Sequence, residues 1–309
     1  MPLATKAIKQ KIKSVGSIKK ITKTMEMVSI SKMRRAVDRV LASRAYSHYA
    51  LELLMNLSKD INVTNNLMVR GKTNKELLVI ITSNKGMCGG YHTNIFRALS
   101  LYLKKEESRG KEVKVITVGK YSEKFSKKLE LNVFAGFNNF SEFSTLDETK
   151  LLSDLLRKEY IEGDYSSVKI LYTEFLKSTS YKPVMREIFP ISVSTIKNIL
   201  EEGSAEALSG EEGQGEVANF DFNDYKFEPD LNEILESILP GLVDVVIYQT
   251  LAEAFASEHS ARMFAMKNAG DSATTILDAL MLSYNHARQD GITRELSEIV
   301  AGAEALNVN

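Results

Sequence analysis

Ser83-Asn84-Lys85-Gly86-Met87-Cys88-Gly89-Gly90 is a stretch whose residue types invite chemistry. It follows an apolar run and precedes a helical pattern. Glycine-rich turns in that position can cradle phosphate with backbone N–H groups at a helix N-terminus. The details fit known nucleotide motifs poorly. A P-loop needs glycine, four residues, then Gly-Lys-Ser/Thr, and here Tyr91-His92 follow Gly90. A dinucleotide fold needs GxGxxG and an acid closing its second strand, but that segment ends Val118-Gly119-Lys120. A tight structural turn is the simpler reading, and a phosphate site is the alternative. Cys88 with His92 four residues on pairs a nucleophile type with a base type. The sequence suggests no third group to orient the histidine, so a small buried thiol in a βα turn is the plainer account.

A second group is the basic face of the N-terminal segment: Lys19, Lys20, Lys23, Lys32, Arg34, Arg35 and Arg39. It reads either as a solvated face or as a docking face for an acidic protein loop. Residue statistics do not separate the two. Few aromatic or amide side chains accompany the charges, as a nucleic-acid reader would require. Met25, Met27, Met33, Met263 and Met266 read as core filler, although methionine also suits surfaces that slide or re-pack.

The elements that must position these groups follow from periodicity. Residues 3–182 contain no proline and neither do 241–309, which permits long helices. One helix is predicted from Leu3 to about Ser58. Ile8, Ile12, Val15, Ile18, Ile21, Met25 and Val28 recur at gaps of three and four, as in a coiled-coil seam. At 1.5 Å per residue it extends about 84 Å, too long for a compact domain. A second long helix is predicted from about Asp230 to Leu306, with Leu277, Leu280, Tyr284 and Ala287 as its stripe near the end. Alanines and serines are dense from Ala252 to Ala273 and suit close backbone approach. Pro240-Gly241 marks a break or kink near its start. The two helices are expected to bury their stripes on one another as an antiparallel coiled coil.

Between them the period changes. Leu77–Ile81, Val113–Val118 and Val168–Tyr172 read as strands, the first buried on both faces. Helical patterns cover 92–107, 120–129 and 146–160, so a mostly parallel sheet with flanking helices is predicted. The fold class is thus α/β plus a long antiparallel coiled coil. Expected boundaries are 1–60 for the N-terminal helix, 75–195 for the α/β domain, 196–228 for an acidic flexible loop and 229–309 for the C-terminal helix.

Composition narrows the function. Lys+Arg and Asp+Glu are 40 each, so no global charge points to nucleic acid. The charges are unevenly placed: residues 1–44 hold twelve Lys/Arg against Glu26 and Asp38, and 201–230 hold ten Asp/Glu against Lys226. One cysteine excludes an intrachain disulfide, and with four scattered histidines it supplies no zinc site. A reducing compartment is expected. No apolar run is read as long enough to span a bilayer, and charges from Lys6 onward interrupt any signal peptide.

Three longer blocks carry a resemblance. Ile21-Thr22-Lys23-Thr24-Met25-Glu26-Met27-Val28 with Ser31-Lys32-Met33 is the first, and Ser257 to Ala269 (SEHSARMFAMKNA) is the second. Arg288-Gln289 with Ile292 to Ala303 (ITRELSEIVAGA) is the third. Together with the Ser83–Gly90 turn and Thr93-Asn94, these resemble the signatures of F-type ATP synthase gamma subunits, in order and over essentially the whole chain. The resemblance implies a non-catalytic central-stalk rotor in a proton-transporting ATP synthase, with alpha, beta and epsilon subunits and the membrane c-ring as partners. It implies no nucleic acid, no direct membrane insertion, no cofactor, no metal and no catalytic residue on this chain.

The same resemblance carries partner contacts onto particular positions. Lys23, Met25, Arg34 and Arg35 would face an acidic lever loop of beta. Arg288, Gln289, Thr293 and Glu295 would lie on a segment gripped by a catch loop of beta. Glu258 and Arg262 would couple the two helices to beta, and Ile299, Val300 and Leu306 would form an apolar tip. The acidic stretch around Asp221 to Asp230 would lie near the foot. The chloroplast version's regulatory cysteine pair is absent. No mitochondrial transit peptide is read, so a bacterial cytoplasmic membrane face is expected. Two other classes compete: a free-standing α/β enzyme with helical arms, which would bind a ligand alone, and a scaffold unrelated to rotation.

Overall fold

The computed structural model describes residues 3–57, 66–163, 165–191 and 231–307. Its elements, in order, are α1 (Leu3–Leu57), β1 (Lys75–Ile81), α2 (Tyr91–Glu107), β2 (Glu112–Val118), α3 (Lys120–Lys128), β3 (Val133–Phe137), α4 (Leu146–Glu162), β4 (Ser167–Lys177), β5 (Ser180–Phe189) and α5 (Leu231–Asn307). The chain forms two compact units. One takes residues 30–261; the other takes 1–29 and 262–309, so α1 and α5 contribute to both. The predicted acidic loop 196–228 and the stretch Asp221 to Asp230 lie outside the described residues.

In the first unit, among the described residues, five strands form one sheet in the order β3-β2-β1-β4-β5. β1 pairs in parallel with β2 and β4, and β2 with β3; β5 is antiparallel to β4. The central strand β1 is apolar because both faces are covered: Leu77 to Ile81 are buried. Its second residue is the exception. Glu76 is 1% exposed and accepts hydrogen bonds from Lys111, Lys169 (3.2 Å) and Tyr102. Burial raises its pKa, but the two ammonium groups and the phenol outweigh that and hold it at about 2. A carboxylate there ties β1 to β4, to α2 and to Lys111, the residue just before β2.

Two strands escaped the sequence reading. β3 is a five-residue edge strand whose side chains alternate between half-buried and exposed, too short to stand out. β5 contains Pro183, which argues against a strand interior. Proline is tolerated because β5 is an edge, with β4 on one side only. α4 starts where Thr145 and Glu148 form a reciprocal capping box.

Pro240 does not end α5, which runs from Leu231 to Asn307 across it. Leu239, Leu242 and Val243 are at most 3% exposed. Burying such side chains offsets the roughly 3 kcal/mol that an internal proline costs. A stretch of this helix within 236–303 is apolar enough by composition to cross a membrane, contrary to the sequence reading. It is 78% buried inside the protein, as for a core helix.

In the second unit α1 and α5 share a seam. The chain leaves this unit after Ser29 and re-enters it at Arg262, so the two helices run antiparallel. Their less exposed positions step by three and four: Thr5, Ile8, Ile12 and Val15, then Thr22, Glu26 and Ser29, against Met266, Gly270, Ala273, Leu277, Leu280, Tyr284, Ala287 and Gly291. A Cβ on Gly270 would lie 3.4 Å from Thr22 Oγ1, so the backbones approach closely there. The α5 stripe matches the sequence expectation. The α1 stripe departs from it after Val15. Ile18, Ile21 and Val28 are 49%, 58% and 49% exposed, while Thr22 and Ser29 turn inward. Small polar residues take the seam because close backbones leave no room for isoleucine.

The small residues of α5 also serve a different neighbour from the one predicted. From Ala254 to Ala261 they lie against the sheet unit: Tyr91 donates to the Ala254 carbonyl (3.3 Å), Ser260 donates to the Ser178 carbonyl, and Ala261 joins the cluster of Leu78, Ile80 and Ile95.

Candidate partner-binding surfaces

The Ser83–Gly90 turn sits at the carboxyl end of β1, beside the point where strand order reverses between β1 and β4. Doubly wound sheets place ligands in that crevice. Here Tyr91, first residue of α2, reaches across to α5. The turn itself is closed by hydrogen bonds. The Ser83 hydroxyl donates to the Lys85 carbonyl (2.6 Å), so Ser83 Oγ accepts from His92 Nε2 (2.7 Å). His92 Nδ1 is then the acceptor facing the Cys88 thiol at 3.3 Å. Ser83 is the third group that sequence reasoning missed, nine residues upstream of the histidine. Cys88 is 1% exposed and Tyr121 stacks on the His92 ring at 3.9 Å, so this chain of bonds orders the turn and leaves the sulfur shielded. Gly119 completes the region. It has φ +93°, and a Cβ there would lie 2.3 Å from the Thr82 carbonyl oxygen.

The basic face of α1 divides into two sets. Lys32 and Arg39 turn toward the loop before α4. Lys32 pairs with the Glu142 carboxylate, and Arg39 donates to the carbonyls of Glu142 and Ser144. His259 of α5 lies 3.7 Å from the same carboxylate. Burial raises the Glu142 pKa, and the nearby His259 ring and Lys32 ammonium outweigh it, holding the group well below the usual carboxylate range. The other set faces solvent. Lys19, Lys20, Arg34 and Arg35 are exposed, and Lys23 is 66% exposed with Glu26 at 3.0 Å. Met25 is half-buried, Met33 and Met266 are buried, and Met27 is 62% exposed. The methionines therefore do not form one class.

On α5, Glu258 and Arg262 are buried within the chain, at 7% and 4% exposure. Arg288, Gln289, Thr293 and Glu295 are exposed, away from the seam positions Ala287 and Gly291. The sequence-predicted contact residues thus spread along two helices and make no single cluster. Sequence reasoning missed the outward apolar set: Ile18, Ile21, Met27 and Val28 on α1, with Met281, Leu282, Ile292 and Leu296 on α5, all about half exposed or more. A helix that is apolar on both sides carries the signal, since one stripe suffices for a pair.

A pair of long terminal helices with charged and apolar side chains turned outward, together with a mixed α/β sheet, defines the class of central-stalk chains. The ATP synthase family model matches residues 4–306. The ATP synthase gamma chain of Variovorax paradoxus (strain S110) is 37% identical over 303 residues, covering 98% of each chain. That of Janthinobacterium sp. (strain Marseille) is 35% identical, over 97% of this chain and 99% of its own. A chain of the Euglena gracilis mitochondrial ATP synthase OSCP/F1/c-ring structure shares the fold at TM-score 0.66, with 21% identity, over 98% of this chain and 94% of that one. This chain belongs to the ATP synthase gamma chain family.

Proposed function

We propose that this chain is the central-stalk rotor of a proton-transporting ATP synthase, carrying torque between a membrane c-ring and a catalytic ring of alpha and beta subunits. The observation that carries the reading is the outward apolar set on helices whose inward stripe is already used. Isoleucines left half exposed on a paired helix call for a sleeve of other chains. Each face of the helix pair favours a different conformation of the beta subunit it meets. Rotation then shifts each site through its nucleotide affinities, and by linkage hydrolysis drives the pair backwards.

In this reading the chain contributes no catalytic group of its own. Lys23, Met25, Arg34 and Arg35 meet an acidic loop of beta, and Arg288, Gln289, Thr293 and Glu295 meet a second beta segment. Glu258 and Arg262, being buried, act by fixing α5 rather than by direct touch. The epsilon subunit and the c-ring hold the α/β unit. The complex sits on the cytoplasmic face of a bacterial membrane, and the chain reaches that membrane only through its partners.

The test is copurification with alpha, beta and epsilon subunits, followed by ATP-driven proton pumping by the reconstituted complex. Replacing Lys23, Arg34 and Arg35 by glutamine should lower protons pumped per ATP while the chain still folds. Normal pumping by that variant would remove the docking role, and failure to copurify would remove the rotor reading.

A further inference from the structure

Phe143 is 50% exposed although both its chain neighbours, Glu142 and Ser144, are buried. The loop gives it no way inward. Ser144 N–H donates to the Ser141 carbonyl (3.0 Å), Ser141 N–H to Ser144 Oγ (3.1 Å) and Phe143 N–H to Ser141 Oγ (3.2 Å). Arg39 holds the carbonyls on either side of Phe143, while Lys32 holds the Glu142 side chain and His259 lies 3.7 Å from it. An aromatic ring is thus fixed at the surface, with its ordering cost met before any partner arrives.

Its surroundings state what would cover it. The Arg35 guanidinium lies 5.5 Å and the Lys32 ammonium 5.9 Å from the ring centroid. Lys32 is committed to Glu142. Arg35 is exposed and has no carboxylate partner among the described residues. Aromatic and arginine side chains together are the usual anchors of protein interfaces. A free guanidinium beside a fixed apolar ring fits a segment that offers a carboxylate and an apolar side chain a few ångströms apart. Charge complementarity excludes a basic occupant.

We infer that Phe143 and Arg35 form one anchor for an acidic, apolar-bearing segment of another subunit. The inference rests on the rotor reading and names its acidic beta loop as the occupant, with Phe143 as a specificity residue beside the charges. The ring would be desolvated in the complex, and the guanidinium would bond the loop's carboxylate.

The experiment uses the assembled complex with Phe143 replaced by p-benzoylphenylalanine, irradiated and digested for mass spectrometry. Capture of an acidic beta peptide is expected. Capture of a different subunit, or none in an intact complex, overturns the inference. The same photoprobe at Arg34 separates the two levels. Capture of beta from Arg34 but not from Phe143 removes this inference and leaves the rotor reading, whereas failure to assemble with beta removes both. In binding of the chain to an alpha–beta ring, Phe143→Ala should raise the dissociation constant roughly tenfold and Phe143→Tyr by no more than about twofold. Arg35→Gln should weaken binding less in the Phe143→Ala background than alone, because the two act together. Equal effects in both backgrounds would count against a shared anchor. Phe143→Ala should lower the melting temperature of the free chain by only a few degrees, since half the ring is already in water.

Discussion

Ile21 provides the sharpest separation between what folds this chain and what its partners hold. It lies on α1 between seam positions and is 58% exposed. Burying an isoleucine side chain completely is worth roughly 1.5–3 kcal/mol. Somewhat less than half of that is already realised in the free chain, so Ile21→Ser should cost about 1 kcal/mol of folding stability. The larger share is realised only when another chain covers the helix. Assembly should therefore lose about 1.5 kcal/mol, roughly tenfold in dissociation constant. Urea unfolding followed by far-UV circular dichroism reads the first quantity. Titration of labelled chain against an alpha–beta ring reads the second. Met266 is the control, because it is 6% exposed within the helix pair. Met266→Ala should cost about 2–4 kcal/mol in folding, with assembly affected only through the folded fraction. If Ile21→Ser costs as much in folding as in assembly, or leaves assembly untouched, the outward face is not gripped and the reasoning fails.

Three further outcomes follow from the α/β unit. Glu76 has its pKa lowered from 4.5 to about 2, so its ionised form stabilises the fold above pH 4.5 and that contribution is lost as pH falls toward 2. The difference corresponds to roughly 3 kcal/mol, and Glu76→Gln should lose about that at pH 7 and flatten the acid limb of a stability–pH curve. Gly119→Ala should cost about 2–4 kcal/mol, seen as a lowered melting temperature, because both its positive φ and the Thr82 carbonyl exclude a Cβ. Thr145→Ala should cost about 1 kcal/mol in urea unfolding by removing the α4 capping box, and Thr145→Ser should restore it.

Much of this architecture was legible residue by residue. β1 announces itself through an unbroken apolar run, and α2, α3 and α4 fall within two residues of their predicted limits. The α5 stripe from Leu277 to Ala287 is the seam that periodicity predicted. The contact residues proposed on α1 and α5 rest on family signatures alone, because nothing in Arg34 or Gln289 as residue types distinguishes a gripped side chain from a solvated one. Strand β5 was hidden by Pro183, whose penalty depends on whether a second neighbour strand exists. The division of the basic face was hidden because Lys32 and Lys23 are the same residue type with the same helical context. Only the loop around Glu142 sets them apart.

The sequence by itself determined periodicity and sign: which segments repeat at helical spacing, which run apolar, and where positive charge collects. Those properties are local, fixed by side-chain type and by 1.5 Å steps along a helix. Tertiary structure alone decided which face of α1 closes the helix pair. That choice depends on Gly270 standing opposite Thr22, a distance between residues far apart in the chain. It also made Ser83 the acceptor for His92 and turned Phe143 outward, since both outcomes are set by hydrogen bonds that exist only once the chain has closed on itself.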